Sequence, residues 1–123
     1  MELKRKDKLK TAYNELKETV LFYESNKDVS ESIRFNALAK AFEVAVEYGW
    51  KELKFRVEEE GLEVYSPKEA VRQAAKIGVI DDAQLWIDFI KARNEGVHDY
   101  FEIPEEDYFK LAKSYLKVAK NII

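Results

Sequence analysis

Leu9, Tyr13, Leu16, Val20 and Tyr23 recur at alternating steps of four and three residues. On a helix turning about 100° per residue such a row falls on one face. A second row, Phe35, Leu38, Phe42, Ala45, Gly49, Leu53 and Val57, keeps the same rhythm over a longer stretch. Sustained two-residue alternation, the mark of a half-buried strand, is absent; Leu62-Glu63-Val64-Tyr65 is too short to found a sheet. The chain is therefore expected to be all-α.

Local signals divide it into five helices. The first is expected from about Asp7 to Tyr23, and Asn26-Lys27-Asp28 interrupts the pattern. Asp28 followed by Glu31 has the spacing of a capping box, so the second helix is expected from there to about Glu60, closed by Gly61. Ser66-Pro67-Lys68-Glu69 opens a short third helix that ends at Gly78. Asp81 or Asp82 caps a fourth, with Leu85, Trp86, Phe89, Ile90 and Val97 facing inward. Pro104, Glu105, Glu106 and Asp107 open the last, where acids suit the helix dipole, and Tyr108, Leu111, Ala112, Tyr115, Ala119 and Ile122 form its stripe. Short connections between long helices favour an up-and-down antiparallel four-helix bundle with an additional short helix. Small Ala45 and Gly49 on the second stripe permit close approach by another helix, and 123 residues make one domain spanning 1–123.

Composition removes several kinds of chemistry. There is no cysteine, so disulfides, thiolate catalysis and Cys-based zinc sites are excluded, and a single histidine cannot build a His-rich metal site. Acidic residues exceed basic ones by three, so no global positive field recruits nucleic acid, and no basic stripe facing RNA is obvious. No apolar run of about 18 residues exists to cross a bilayer, and the basic start from Lys4 to Lys10 is followed by Thr11-Ala12-Tyr13-Asn14 rather than an apolar signal segment. A cytoplasmic protein is expected, with no membrane partner. The four glycines are isolated and form no phosphate-cradling loop, so the chain should not itself be a nucleotidyltransferase.

Chemistry is concentrated at Arg93-Asn94-Glu95-Gly96-Val97-His98-Asp99-Tyr100, which holds the single histidine. Arg93 offers a permanent cationic fork to phosphate oxygens, and His98 can exchange a proton near neutral pH, which together suit phosphoryl chemistry without a metal. Asn94 either orients the histidine, holds a phosphate oxygen, or simply bonds to backbone. Five residues apart on a regular helix, Arg93 and His98 point about 140° from each other. The helix is then distorted near Gly96, or the motif meets its copy across a dimer axis. Trp50 and Trp86, at helical spacing beside Leu and Phe, are expected in the core, and the Asp81-Asp82 pair reads as a helix cap rather than a metal site.

The spacing of Arg93, His98 and Tyr100 resembles the signature of the HEPN superfamily, small helical proteins often encoded beside a minimal nucleotidyltransferase. Ordered blocks narrow the match. Glu58-Glu59-Glu60-Gly61-Leu62-Glu63-Val64, the segment from Ser66 to Ala74, Gly78-Val79-Ile80-Asp81-Asp82 and Trp86-Ile87-Asp88 are similar to successive blocks of the nucleotidyltransferase substrate-binding protein family within it. Together with the motif they run from about Arg34 to Tyr100. The resemblance implies a helical bundle, a homodimer whose protomers bring Arg93 and His98 into one composite cleft, and a minimal nucleotidyltransferase as partner, in a toxin–antitoxin-like pair. It also implies that the partner, using ATP and magnesium, attaches a nucleotide to Tyr100; the chain itself needs no cofactor.

Two functions follow. In the first, which the family blocks favour, the chain is a substrate-binding partner subunit with no turnover of its own. In the second it is a metal-independent endoribonuclease, with Arg93 stabilising phosphorane-like charge and His98 acting as general acid or base toward a ribose 2′-hydroxyl of RNA.

Overall fold

The computed structural model of the chain describes residues 2–97 and 103–123, which form five α-helices: α1 (Glu2–Ser25), α2 (Glu31–Glu59), α3 (Pro67–Lys76), α4 (Ala83–Val97) and α5 (Glu105–Ala119). A single 3₁₀ turn, Lys120–Ile122, follows α5. No strand occurs among the described residues, and Leu62–Tyr65 is an extended connection. No helix among them is long and apolar enough to cross a membrane.

The boundaries follow the local chemistry, with two departures from expectation. The first helix begins five residues earlier than Asp7, at Glu2. The second is capped by Ser30, whose hydroxyl accepts from the Ile33 amide at 3.4 Å, and not by Asp28. Asp28 is taken up in the preceding turn, where the Val29 amide donates to the Asn26 carbonyl, so its side chain stands too early to reach the helix. The remaining signals act as expected. Gly61, at φ +87°, follows the last turn of α2 in the left-handed region that a side chain would disfavour. The Ser66 hydroxyl accepts from the Glu69 amide, with Pro67 at the first helical position, and the Asp82 carboxylate accepts from the Leu85 amide.

Packing runs up and down through α1, α2, α4 and α5, with α2 touching all four other helices and α3 lying against α2 and α4. Antiparallel order shows in the cross-helix contacts. Along α1 and α2, Tyr23 meets Phe35 at one end and Arg5 meets Glu52 at the other. Along α1 and α5, Tyr23 stacks on Phe109, whereas the Tyr13 hydroxyl donates to the Leu116 carbonyl. The core between them is aromatic: Phe42, Trp86, Phe89, Tyr108 and Tyr115 meet edge to face at centroid distances of 5.1–6.2 Å. That geometry places positive ring edges on negative faces.

Ala45 and Gly49 lie inside this core. The Tyr115 hydroxyl donates to the Ala45 carbonyl at 2.6 Å, and a Cβ on Gly49 would stand 2.5 Å from that hydroxyl and 3.2 Å from the Trp86 ring. These small residues therefore admit α4 and α5 of the same chain. The helix whose close approach they permit is thus one of the same chain, and they offer nothing to a second copy.

Among the described residues, one carboxylate is fully buried. Glu52, 1% exposed, accepts from Arg56 one turn on and pairs with Arg5 of α1, whose guanidinium also lies 3.6 Å from the centre of the Phe55 ring. Arg56 reaches on to the Ile122 carbonyl at 2.8 Å. The buried negative charge is thus neutralised by two half-exposed cations, and the network ties the start of α1 and the end of the chain to α2.

Candidate functional site

The chain positions α4 through its apolar face: Trp86, Phe89, Ile90 and Ala92 are buried against α2 and α5. Arg93 follows on the edge of that face, half-buried, and Asn94 stands beyond it in solvent. The helix continues through Gly96 to Val97. A glycine inside a helix costs about 1 kcal/mol relative to alanine, which the tertiary packing of α4 outweighs.

Arg93 is held from across the bundle. One terminal nitrogen donates to both carboxylate oxygens of Glu47 on α2, at 3.0 and 3.1 Å, and the other donates to the Asn94 side-chain oxygen at 2.8 Å. Its Nε is buried and meets no acceptor among the described residues. Glu47 is the hub of the cluster, because its Oε2 also accepts from the Trp50 indole at 2.9 Å and its Oε1 lies 3.9 Å from the Lys51 ammonium. Trp50 is accordingly half-buried, packing against the core while its indole N–H faces the carboxylate.

The arrangement fixes a guanidinium at the surface of α4 and lowers the net charge it presents. A phosphate approaching Arg93 must compete with a carboxylate already in charge-assisted hydrogen bonds. Arg93 is therefore paired with a carboxylate in this structure. It is a cation in a defined orientation with one donor left over. Asn94 takes a role not considered for it, its side-chain oxygen accepting from Arg93 itself. His98 and Tyr100, the other two candidate residues, lie outside the described residues, and the structure joins Arg93 to Asn94, Glu47 and Trp50.

Glu47 was invisible in the sequence. It stands among the other glutamates of α2, and its partner is 46 residues away. The only hint is the three-residue spacing to Trp50, which puts indole and carboxylate on one face. Further round α2, on the side of α1, Val44 and Tyr48 floor a groove rimmed by Lys4, Lys8 and Glu15.

Comparison with known proteins follows the fold and extends it. No curated protein matches the chain. A solved structure from Haemophilus influenzae, described as revealing the fold of a substrate binding domain of a nucleotidyltransferase, superposes with a TM-score of 0.77 over 93% of each chain at 19% identity, a likeness of fold alone. A protein from Thermus thermophilus also gives a TM-score of 0.77, at 29% identity over 93% of this chain and 94% of its own. The model of the family described as nucleotidyltransferase substrate binding protein like matches residues 4–123, from the first turn of α1 to the last residue. Because that match takes in every helix and the Arg93 segment, the chain belongs to the nucleotidyltransferase substrate binding protein like family.

Proposed function

We propose that the chain is the substrate-binding partner subunit of a minimal nucleotidyltransferase, in a two-component, toxin–antitoxin-like HEPN pair of the cytoplasm. The family match over residues 4–123 carries this reading. The held state of Arg93 supports it, because a guanidinium already neutralised by Glu47 suits presentation and orientation of a bound group better than unaided capture of phosphate.

In this reading the chain is a homodimer. A two-fold contact at the surface that carries Arg93 and Asn94 sets two copies of the Arg93 to Tyr100 segment beside each other. His98 completes the composite site and Tyr100 is the nucleotide acceptor. The partner supplies transfer chemistry with ATP and magnesium. A nucleotide on Tyr100 fills the cleft with negative charge, as phosphorylation does at other switches.

Incubation with the partner, ATP and magnesium tests the reading: nucleotide mass is expected on the peptide containing Tyr100, and Tyr100→Phe abolishes it. Addition that persists in Tyr100→Phe removes the tyrosine from the account.

One observation favours a second reading, a metal-independent endoribonuclease. The buried Nε of Arg93 is a cationic donor that meets no acceptor among the described residues, and a phosphate oxygen would satisfy it. If the isolated chain cleaves RNA, His98→Ala loses about 10²-fold or more in rate, the range for removing a general acid or base. Cleavage undiminished by His98→Ala rejects this second reading.

A further inference from the structure

Seven lysines from the two ends of the sequence converge on one face of the bundle. On α1, Lys6, Lys10 and Lys17 all lie within about 60° of Tyr13 around the helix axis, on the edge that faces α5, because the Tyr13 hydroxyl is bonded to the Leu116 carbonyl. On α5 and the turn after it, Lys110, Lys113, Lys117 and Lys120 fall within an arc of about 80°, and Lys110, Lys113 and Lys117 line one groove with Ser114. All seven are exposed. Antiparallel packing of α1 on α5 lays the two rows side by side.

This face is basic although the chain as a whole is acidic by three charges. Acids approach it mainly at one end, where Glu106 pairs with Lys110 at 3.6 Å. Others, such as Glu58, Glu59, Glu60 and Glu63, gather around the connection from α2 to α3. Concentrating like charge along one seam costs stability through mutual repulsion, and an anionic ligand relieves that cost. The rows are regular: steps of three and four residues along α5 advance about 4.5 to 6 Å per lysine, over a total of about 15 Å.

We propose that the α1–α5 face binds the phosphate backbone of a nucleic-acid duplex. Point charges at regular intervals match a phosphate track, whereas the other polyanion of this size, an acidic protein surface, needs an apolar anchor at its centre. None projects at its centre among the described residues; the exposed Leu21 stands one turn beyond Lys17, at the end of the row. Tyr13, Phe109 and Leu116 are half-buried in the seam between the helices, and the Lys113 ammonium lies 4.8 Å from the centre of the Phe109 ring and covers it. The same lack of an open aromatic platform disfavours a single strand, whose binding draws on base stacking. Lysines that read charge alone hold the backbone without reading sequence.

The face lies apart from the Arg93 cluster, on α1 and α5 rather than α2 and α4, so the inference stands independently of the partnership above. Fluorescence anisotropy of the full chain with labelled RNA duplex, DNA duplex and single strand of equal length, at graded salt, tests it. Duplex binding is expected to weaken with a log–log salt slope of about −4 to −6, as for four to seven neutralised phosphates. The two duplexes compared show whether ribose matters. Lys10→Glu with Lys113→Glu and Lys117→Glu lowers duplex affinity by about tenfold or more, Lys113→Ala alone reduces the slope by about 1, and Lys76→Ala, at an exposed lysine of α3 away from this face, leaves binding unchanged. Should charge reversal impair folding, judged by helical circular dichroism, the three corresponding Lys→Gln changes give the same reading. The inference is overturned by the absence of duplex binding at about 50 mM salt, by equal binding of the folded triple variant, or by loss of binding in Lys76→Ala. It is equally overturned if the triple variant keeps duplex binding and loses a nucleotidyltransferase instead, which makes the face a protein docking surface.

Discussion

Arg93 on α4 and Glu47 on α2 form a cross-helix ion pair in which one guanidinium nitrogen reaches both carboxylate oxygens, at 3.0 and 3.1 Å. Their side chains are 23% and 28% exposed, so water screens the pair and its net stabilisation is modest, about 0.5 to 1 kcal/mol. A double-mutant cycle of Arg93→Ala and Glu47→Ala, followed by urea unfolding, should return a coupling energy in that range. Coupling indistinguishable from zero would mean that Glu47 does not hold Arg93 in solution.

Gly49 and Tyr115 give a larger effect. Gly49→Ala gains helix propensity worth about 1 kcal/mol, but its Cβ meets a hydroxyl that is buried and bonded to the Ala45 carbonyl. Overpacking of this kind costs roughly 1 to 3 kcal/mol and leaves a net loss. Tyr115→Phe in the same chain removes the clashing oxygen, so the double variant should be more stable than the sum of the single changes allows. Thermal unfolding of the three variants checks this, and strict additivity would contradict the proposed contact.

Alkaline pH should destabilise the fold through two phenols. Burial, with a smaller contribution from Tyr13, raises the pKa of Tyr115, and burial with a smaller contribution from Glu43 raises that of Tyr108. In the unfolded chain both titrate near the ordinary value of about 10. The folded pKa is the higher one, so this contribution is fully present below about pH 10 and is lost as pH climbs above it. Urea midpoints measured from about pH 8 to 11 should fall at the upper end. The fall should be shallower in Tyr108→Phe/Tyr115→Phe; an equal fall in that variant would assign the loss to lysine titration.

The all-α class and most helix ends were legible in the sequence because they depend on local chemistry. Alternating steps of four and three fix a helical stripe, and Gly61, Ser66 and Asp82 act within a few residues of themselves. Asp28 failed where two caps competed: Ser30 stands closer to the first free amides once the chain turns at Asn26. Ala45 and Gly49 read correctly as points of close approach, but a one-dimensional pattern cannot say which helix approaches.

Relationships across the bundle were not legible. Glu47 is one of many surface glutamates until α4 places Arg93 over it, and the lysine face is assembled from residues 6–17 and 110–120, which net charge averages away. Arg93 and Asn94 were found as candidates from residue type and spacing, yet Arg93's neutralisation by Glu47 and the bond between Arg93 and Asn94 needed the fold. The family blocks carried more functional information than any single side chain, since residues 4–123 match as a whole.

Partnership with a minimal nucleotidyltransferase is the central claim, and co-purification tests it most directly. The tagged chain is co-expressed with a candidate minimal nucleotidyltransferase taken from the neighbouring genes and, separately, with an unrelated one, and each eluate is sized by light scattering. The account predicts recovery of the neighbouring enzyme alone, in a complex heavier than a dimer of the 14.4 kDa chain. Elution of the chain by itself, or equal recovery of the unrelated enzyme, would contradict it.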